Sequence, residues 1–493
     1  MINEASSPLS LPVYALLLVA TVLTGRWAVA RLQRLLVLGV RGGDRVVAFF
    51  HPYCDSGGGG ERVLWVAIEA VLRKEGGDGI VAIYNGGERD IDTVLRTVVR
   101  QFRIDLTKFA GRIRLVNIAS RTLLEARWYP VATMICQSLA SIVVGLECLA
   151  RLAPDLYVDT TGAAFTYPLF RVLGGAKVVC YVHYPIISSD MLARVREQRP
   201  SYNNDARIAQ SVTTSYLKLV YYKCIAVFYS IAGFFACSVV VNSSWTEGHI
   251  SELWGCSLSQ DEERGGRLTR IFPPCNTTTL LRGRSDASKR ENVILSVGQF
   301  RAEKDHALQL EAFALLCRDH AASPGVMGSR LVLLGGARHA EDEELVRVLR
   351  LQTEKLGIAN RVEFLVNAPF EQLQDLLSKA TAGLHTMWNE HFGISVVEML
   401  AAGLVVVAHN SGGPRMDIVV PHDGPDAVGF LATTPQEYAA CLARALGMSQ
   451  QDAAALRLRA RESVLRFSDE AFTTALLKVL SSDKVKGQKM KRG

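Results

Sequence analysis

The sequence lacks the usual fingerprints of nucleotide and metal sites. No stretch fits the GxGxxG motif of nicotinamide-binding folds or the GxxxxGKS motif of P-loop enzymes, although residues 57–60 are four consecutive glycines. The ten cysteines are scattered without a CxxC pair or even spacing, which indicates reduced, mostly buried thiols rather than a zinc site or a disulfide framework. The only acidic triplet of DxD form, Asp90-Ile91-Asp92, is predicted to cap a helix. We therefore expect neither a bound metal nor a cofactor.

Charged and low-complexity sequence is also scarce. Only 21% of the residues are charged and 49% are apolar, which excludes a disordered chain. A length of 493 residues exceeds what one core usually holds, so two domains of roughly 200 residues are expected. The net charge is +7, and no nucleic-acid partner is expected. The basic tail at 484–493 either stays in solvent or touches anionic lipid.

An uncharged apolar run covers residues 9–25 and is followed at once by arginines. The run is at the short end for a membrane span. The arginines on its C-terminal side favour an anchor over residues 1–40, with the remaining chain in the cytosol. A cleaved signal peptide is the alternative, under which the sequons at Asn242 and Asn276 would be glycosylated.

Two further apolar runs cover residues 131–146 and 224–241. Either is long enough to span a membrane. The second ends in CSVVVNSS, which favours a helix that runs into a buried parallel strand. We expect helices that pack in the core or rest on a membrane, and true spans are the alternative.

Short apolar strands alternate with helix-like segments along most of the chain, which is the pattern of parallel, doubly wound α/β sheets. The strands are RVVAFF, IVAIYN, IRLVNI, DLYVDT, KVVCYVHY and CSVVVNSS in the first half, then NVILSVGQF, RLVLLGGA, RVEFLV, AGLHTM and LVVVAH. Between the two sets, RIFPPCNTT carries two prolines and is predicted to be a linker. We expect an anchor (1–40), two Rossmann-like domains (41–275 and 276–465), and a helix that crosses back, followed by the basic tail (466–493). Ligands of such sheets bind beyond the carboxyl ends of the strands, so the facing domains form a cleft.

The segment HTMWNEHFGISVVEMLAAG is the most informative of the chain. It places Glu390 in a polar loop and Glu398 in the following helix, about 12 Å apart even at the helical rise of about 1.5 Å per residue. Two carboxylates acting on one glycosidic bond lie about 5 to 5.5 Å apart, so each is expected to hold a different part of a long ligand such as a sugar nucleotide. The N–H groups of Gly393, Ile394 and Ser395 at the helix start suit a phosphate or a sugar hydroxyl. A solvated helix with two surface acids is the alternative.

Two loops carry groups suited to a diphosphate. In FFHPYCDSGGGGERVLW, Gly58 and Gly59 allow the backbone to approach a ligand closely and leave N–H groups free for anions. In LSVGQFRAEKDH, Arg301 and Lys304 follow the first strand of the second domain, where Arg can hold a diphosphate bidentately and Lys as a point charge. A flexible connection and a random surface pair are the respective alternatives.

Three further strand ends carry weaker candidates. His183 in YVHYP either contacts an acceptor or sugar phosphate or is structural. Val366 and Asn367 in FLVNAPFEQL lie where a nucleobase could stack on backbone. Gly412 and Gly413 in SGGPRMDIV either approach a diphosphate or form a plain turn.

Together, the glycine loop, the strand-end histidine, the G-x-F-R-x-E-K loop and the E-x7-E segment resemble the retaining family 4 glycosyltransferases, which have the GT-B fold. The resemblance covers residues 45 to 470. HPYCDSGGGGERVLW, VHYP, VGQFRAEKDH and WNEHFGISVVEMLAAG are most similar to the dolichol-pathway mannosyltransferases of that family. The chain departs from the family at Gly298-Gln299, where many members have Gly-Arg, so the diphosphate arginine would be Arg301.

The resemblance implies a role for each of these residues. The first domain would bind the acceptor and the second the sugar nucleotide. Implied contacts are Glu390 with the mannose, Glu398 with the ribose, Arg301 and Lys304 with the diphosphate, Gly58 and Gly59 with the donor, and His183 with the transferring sugar or acceptor. The catalytic set would be Glu390, Lys304, Arg301 and His183; Val366, Asn367, Phe392, Gly393 and Ile394 complete the donor site.

The resemblance also implies the reaction. It is the transfer of mannose from GDP-mannose, in α-1,2 linkage and with retention of configuration, to a dolichol-diphosphate-linked oligosaccharide that gains its fourth and fifth mannoses. The enzyme would lie on the endoplasmic reticulum membrane with its catalytic domains in the cytosol, alongside other dolichol-pathway mannosyltransferases. N-acetylglucosaminyl transfer to phosphatidylinositol, addition of an earlier dolichol-linked mannose, and a non-catalytic scaffold role are the alternatives.

Overall fold

The computed structural model describes residues 45–74, 79–188, 191, 212–256, 267–282 and 290–482, with eight further positions between 25 and 36. Apart from those eight positions, the predicted anchor over residues 1–40 lies outside the described residues, and so does the basic tail at 484–493.

The first seven strands form one parallel sheet in the order β3-β2-β1-β4-β5-β6-β7. They are β1 (Val46–Phe50), β2 (Ile80–Asn85), β3 (Ile113–Asn117), β4 (Leu156–Asp159), β5 (Lys177–Val182), β6 (Ser238–Val241) and β7 (Leu268–Arg270). Every residue of β1, β2, β4 and β6 is buried, as expected for strands covered on both faces. The strand order reverses between β1 and β4, which creates a ligand crevice beyond their carboxyl ends.

The next six strands form a second parallel sheet in the order β10-β9-β8-β11-β12-β13. They are β8 (Glu291–Val297), β9 (Arg330–Gly335), β10 (Val362–Val366), β11 (Ala380–Leu384), β12 (Val405–His409) and β13 (Phe430–Ala432). The order reverses between β8 and β11, so the loops after these two strands occupy the crevice of this domain. The two parallel α/β sheets predicted from the alternating pattern are thereby confirmed.

Helices cover both faces of each sheet. They are α1 (Gly59–Lys74), α2 (Ile91–Phe102), α3 (Thr133–Arg151), α4 (Val212–Phe234), α5 (Ser244–Trp254), α6 (Thr277–Arg282), α7 (His306–Asp319), α8 (Ala340–Lys355), α9 (Phe370–Lys379), α10 (Ile394–Ala401), α11 (Pro435–Gly447), α12 (Gln450–Ser463) and α13 (Asp469–Ser481). In the first domain, α1, α2 and α13 pack on one face and α3, α4 and α5 on the other. In the second, α9 and α10 oppose α7, α8 and α11. Asp90 caps α2 by accepting a hydrogen bond from Thr93 N at 2.8 Å, which confirms the capping prediction.

The sequence pattern missed the two edge strands β7 and β13. Each has only three residues, and β7 ends in an exposed arginine. Such short strands carry no apolar run of their own and form because a neighbouring strand offers them a hydrogen-bonding edge.

The last helix, α13, packs on the first domain although it follows the second in the chain. Its apolar face, which includes Phe472 and Leu476, joins the core formed by α1 and the first sheet. Arg62 in α1 donates two hydrogen bonds to the carboxylate of Asp469 at 2.7 and 2.8 Å. The chain therefore connects the domains twice.

The two internal apolar runs form α3 and the second half of α4. Four residues after α4 ends at Phe234, β6 begins at Ser238, which confirms the predicted helix running into a buried strand. Both helices are long and apolar enough to cross a membrane, yet only 28% of the most apolar window of each is buried in the protein. Their outer faces therefore expose apolar side chains.

Candidate active site between the two domains

Loops at the carboxyl ends of the two sheets meet across the interdomain space. A Cβ on Gly59 in the glycine loop would lie 2.7 Å from Cδ1 of Ile394 at the start of α10. The imidazole of His391 lies between Tyr184 and Trp245 of the first domain, at ring-centroid distances of 5.0 and 4.9 Å. The fold therefore brings the predicted glycine loop and the predicted helix start to one cleft.

A second contact joins the domains through Asp417. Its carboxylate accepts hydrogen bonds from the N–H of Ser244 at 2.8 Å and from the Ser244 hydroxyl at 2.5 Å. Arg270 also contacts that hydroxyl at 2.5 Å, and Arg466 donates to the Asp417 carbonyl at 2.6 Å. Because Ser244 belongs to α5 and Asp417 to the second domain, this cluster fixes how the two domains face each other.

Glu390 forms the centre of the charged network in the cleft. Its Oε2 lies 2.5 Å from Nζ of Lys304 and 3.2 Å from Nε2 of His385. Burial alone would raise the pKa of the Glu390 carboxyl, but Lys304 and His385 hold it well below its usual range. Lys304 also contacts the sulfur of Met387 at 3.2 Å. The structure thus brings together the predicted Lys304 and Glu390, which are far apart in sequence.

Gly412 and Gly413 support the Glu390 loop. The N–H of Gly413 donates to the Glu390 carbonyl at 2.8 Å, and a Cβ at either glycine would collide with the backbone of residues 389–392. Gly412 has a φ of +57°, a conformation that favours glycine. The close approach suggested by SGGPRMDIV is therefore made to the Glu390 loop.

Helix α10 begins with uncapped N–H groups beside this network. Gly393 precedes it with a φ of +113° and provides no side-chain cap. Phe392 is buried and packs on Phe272 and Phe467, which anchors the start of the helix. Glu398, further along α10, is partly buried, and burial raises its pKa to about 7 although Arg62 opposes this. The two glutamates thus occupy different electrostatic environments.

Arg301 and Lys304 lie in the loop between β8 and α7. Lys304 N donates to the carbonyl of Arg301 at 3.0 Å, closing a short helical turn. The Thr386 hydroxyl donates to the Lys304 carbonyl at 2.8 Å, which ties this loop to the Glu390 loop. Within the described ranges, the guanidinium of Arg301 has no hydrogen-bond or ion-pair partner, so its charge is available to a ligand in the cleft.

Glu61 holds the glycine loop in place, which the sequence analysis missed. Its Oε2 accepts a hydrogen bond from Gly58 N at 2.6 Å, and its Oε1 lies 3.5 Å from Nε2 of His51. The other ring nitrogen of His51 is 2.8 Å from the Thr160 hydroxyl in the loop after β4. Burial opposes it, but His51 and the loop N–H groups lower the pKa of Glu61. A glutamate three residues after the start of a loop-to-helix junction is a capping signal that could have indicated this role.

His183 lies at the end of β5, as predicted, beside the glycine loop. A Cβ on Gly60 would be 3.7 Å from its Nε2. Burial and the neighbouring His51 lower the pKa of His183 to about 4, so its imidazole is neutral near pH 7. Its Nε2 is buried and has no hydrogen-bond partner among the described residues. This nitrogen can exchange a hydrogen bond with a ligand hydroxyl.

Val366 and Asn367 lie at the end of the edge strand β10. The side-chain amide of Asn367 pairs with the backbone of Ala337, accepting from its N–H at 3.0 Å and donating to its carbonyl at 3.1 Å. Asn367 has a φ of +55°. Its side chain therefore braces the loop after β9, and only the remaining faces of this turn can contact a ligand.

Over the part of the chain that the structure describes, no group of three or more His, Cys, Asp or Glu side chains is arranged to hold a metal ion. The predicted cations Arg301 and Lys304 both lie in the loop after β8 at this cleft.

The fold matches solved glycosyltransferase structures. The Anabaena HepE protein in complex with UDP and glucose superposes with a TM-score of 0.58 and 17% identity, covering 89% of this chain and 99% of that one. Sucrose-phosphate synthase from Thermosynechococcus elongatus gives a TM-score of 0.60 and 18% identity, with 88% and 98% covered. At this identity the likeness establishes the fold alone, which is GT-B.

Two family models match successive parts of the chain. The model described as the ALG11 mannosyltransferase N-terminus matches residues 44–254, and the model of glycosyl transferases group 1 matches residues 278–462. Proteins named GDP-Man:Man(3)GlcNAc(2)-PP-Dol alpha-1,2-mannosyltransferase are similar over most of their length. The Xenopus laevis protein is 46% identical over 88% of this chain and 86% of its own, and the Homo sapiens protein is 45% identical over the same shares. The chain belongs to the family of GDP-Man:Man(3)GlcNAc(2)-PP-Dol alpha-1,2-mannosyltransferases.

Proposed function

We propose that this protein transfers mannose from GDP-mannose, in α-1,2 linkage and with retention of configuration, to a dolichol-diphosphate-linked oligosaccharide, adding its fourth and fifth mannoses. The observation that carries the proposal is the Lys304–Glu390–His385 network, which lies in the cleft beside the uncapped start of α10. The names of the similar proteins support the choice of donor and acceptor.

In this proposal the sugar nucleotide lies along the second domain. Lys304 and Arg301 neutralise its diphosphate, and the N–H groups at the start of α10 add donors for a phosphate or a sugar hydroxyl. Glu390 accepts hydrogen bonds from the mannose, and Glu398 accepts from the ribose diol. Gly58 and Gly59, with Glu61 fixing their loop, close over the donor from the first domain. The turn at Val366 and Asn367 contacts the nucleobase. Phe392 anchors the start of α10.

The chemical step follows from these charges. The bond between the mannose C1 and the phosphate oxygen breaks, and a bond between C1 and the acceptor hydroxyl oxygen forms on the same face of the sugar. The departing phosphate oxygen takes the acceptor's proton. Negative charge grows on GDP while the bond breaks, so Lys304 and Arg301 stabilise the transition state more than the ground state. His183, neutral near pH 7, accepts a hydrogen bond from a hydroxyl of the transferring sugar or acceptor.

The proposal places the protein on the endoplasmic reticulum membrane, with its catalytic domains in the cytosol. Other dolichol-pathway mannosyltransferases would lie nearby. Residues 1–40 would anchor the chain, 41–275 bind the acceptor, 276–465 bind the donor, and 466–493 carry the crossing helix and tail. Its structural support is the exposed apolar faces of α3 and α4. The exposed side chains are Ile135, Leu139, Val143 and Leu146 on α3, and Leu217, Val220, Val227, Phe228 and Ile231 on α4. Over its full length α4 contains lysines but no acidic residue, which suits an anionic membrane surface.

The test is transfer of radiolabelled sugar from GDP-mannose, with UDP-N-acetylglucosamine in parallel, to dolichol-linked trimannosyl chitobiose. Product that α-1,2-mannosidase trims would establish donor, acceptor and linkage together. Label from the UDP sugar alone would indicate a different lipid-acceptor transferase, and no label beside an active control would indicate the scaffold role.

A variant pair tests the site in the same assay. Lys304→Met removes the cation beside Glu390, and we expect kcat/KM to fall by about a hundredfold to a thousandfold, as when a fixed donor to a developing anion is lost. Lys379→Met is the matched control, because Lys379 is a surface lysine that pairs with Asp375 on its own helix. Wild-type activity in Lys304→Met would contradict the assignment.

A further inference from the structure

One arginine at the carboxyl edge of the first sheet is held in place without a counter-ion among the residues that the structure describes. Arg121 follows β3, and its guanidinium lies 4.9 Å from the ring centroid of Tyr53 in the loop after β1. A Cβ on Gly86, in the loop after β2, would collide with the Arg121 side chain, so the glycine leaves the space this side chain fills. Three successive loops thus fix the position of Arg121.

The other cations of this edge are already paired. Arg89 contacts Asp55 at 3.1 Å, and Arg127 contacts Glu125 at 2.5 Å. Among the described residues, Arg121 has no carboxylate partner, and its Nε is buried without a hydrogen-bond partner. A buried donor on a charged group normally has a partner, and an added acceptor such as a phosphate oxygen would supply one for Arg121.

A second buried polar atom without a partner among the described residues lies at the end of the neighbouring strand β2. Oδ1 of Asn85, at the end of β2, is likewise buried without a partner, while its Nδ2 is 3.4 Å from the carbonyl of Gly87. The end of β2 and the loop after β3 thus each carry a buried polar atom without a partner among the described residues.

Arg121 lies between an exposed apolar surface and the strand ends that lead to the cleft. Exposed Leu123, Trp128 and Val131 follow Arg121 directly and lead into the exposed face of α3. On the other side, β3 is four strand positions from β5, whose end carries His183. The Arg121 guanidinium reaches back to Tyr53 in the loop after β1, which is two strand positions, or about 10 Å, from β5, so part of a sugar chain can lie between the two positions.

We propose that Arg121, held over Tyr53, binds the diphosphate of an isoprenoid-diphosphate-linked oligosaccharide acceptor. The lipid would extend over the apolar surface from Leu123 to α3, and the sugar chain would extend along the strand ends to the cleft. Arginine suits this ligand because its planar fork can donate two hydrogen bonds to phosphate oxygens. The inference rests on the proposed function, since the acceptor class comes from it.

The experiment compares two acceptors that carry the same trimannosyl chitobiose, one on dolichyl diphosphate and one on an uncharged alkyl glycoside. With Arg121→Ala in detergent we expect KM for the diphosphate acceptor to rise about tenfold to a hundredfold, because binding loses a charge-assisted hydrogen bond. KM for the alkyl glycoside and for GDP-mannose should stay at the wild-type values. Arg121→Lys should raise the KM for the diphosphate acceptor less than Arg121→Ala does, because lysine keeps the positive charge. Arg100→Ala, which removes an exposed arginine of α2, should leave every KM unchanged.

Each remaining outcome overturns the inference. The first is an unchanged KM for the diphosphate acceptor in Arg121→Ala. The second is an equal rise in KM for both acceptors, which would indicate a structural role for Arg121. Binding of the full chain to phosphatidylserine vesicles is measured alongside. Loss of that binding with an unchanged acceptor KM would assign Arg121 to phospholipid headgroups. A wild-type chain that does not use the diphosphate acceptor at all would instead refute the proposed function.

Discussion

At the scale of single residues, Lys304 would contact both Glu390 and the donor diphosphate of the proposed function. The Glu390 carboxylate contacts the Lys304 ammonium at 2.5 Å and neutralises its charge. A bound diphosphate would compete for the same ammonium, which would free Glu390 to accept hydrogen bonds from the sugar. The ion pair thus compensates two partly buried charges, which lowers the free-energy cost of keeping them in the cleft.

Glu398 has no such compensation, because Arg62 only partly opposes the effect of its burial. Its pKa is raised to about 7 in the folded chain from an ordinary value of 4.5. A raised carboxyl pKa means that the folded state binds the proton more tightly than the unfolded state. The folded state is therefore penalised progressively as the pH rises from about 4.5 to about 7, and the penalty is constant above that range.

We predict that Glu398→Gln stabilises the donor-free protein at pH 8 by about 1–3 kcal/mol, and that the gain shrinks markedly at pH 5. Urea unfolding at the two pH values measures this difference. Glu354→Gln, at an exposed position of α8, is the control and should change neither value. A Glu398→Gln gain that is equal at both pH values, or absent at pH 8, would contradict the assigned burial of the charge.

At the scale of elements, α13 holds the two domains together. Its apolar face completes the first-domain core, and Asp469 in its first turn contacts Arg62 of α1. Arg62 is only 8% exposed at its side chain and also donates to the carbonyls of Pro274 and Phe102. The guanidinium is therefore buried where the linker, α1 and α13 converge.

We predict that Asp469→Ala lowers the free energy of unfolding by about 1–2 kcal/mol, because it leaves a buried guanidinium without its carboxylate. This loss of unfolding free energy is smaller than for a fully buried ion pair, because the Asp469 side chain is 43% exposed. Glu470→Ala, an exposed acid in the same helical turn, controls for the helix dipole. The urea concentration at the midpoint of unfolding is measured for both variants. Equal shifts of this midpoint would show that the Arg62–Asp469 ion pair contributes nothing to stability.

At the scale of the whole molecule, one side of the first domain differs from the rest of the surface. Exposed apolar side chains run along α3 and α4, with Trp128 and Val131 beside them. Large exposed apolar side chains grouped on neighbouring helices are typical of an interaction surface. The proposed lipid-linked acceptor would reach the cleft from this side.

We predict that this face contacts acyl chains when the full chain is reconstituted in bilayers that contain a photoreactive phospholipid. After illumination, mass spectrometry should find lipid adducts on peptides that contain Leu139 or Phe228. The peptide with Val348 and Leu351, also exposed but on α8 of the second domain, is the internal control. Adducts spread equally over both domains would refute a specific lipid-facing surface.

The apolar runs and glycine loops in the sequence predicted both sheets, because parallel strands buried on both faces must be nearly continuous hydrophobic segments. They did not predict β7 and β13, whose three residues pair only because a neighbouring strand is already present. His51, Glu61 and His385 were missed as well. Their roles depend on partners such as Thr160, which is distant in sequence from His51.

The sequence by itself determined the two α/β units and the order of the loops, since hydrophobic periodicity and turn residues are local properties of the chain. It also indicated that Glu390 precedes a helix and Glu398 lies within it, as the bounds of α10 have it. Only the tertiary structure decided which charges meet. Lys304 and Glu390, or Arg62 and Asp469, become neighbours through long-range packing, and that packing sets the burial that separates the pKa of Glu390 from that of Glu398.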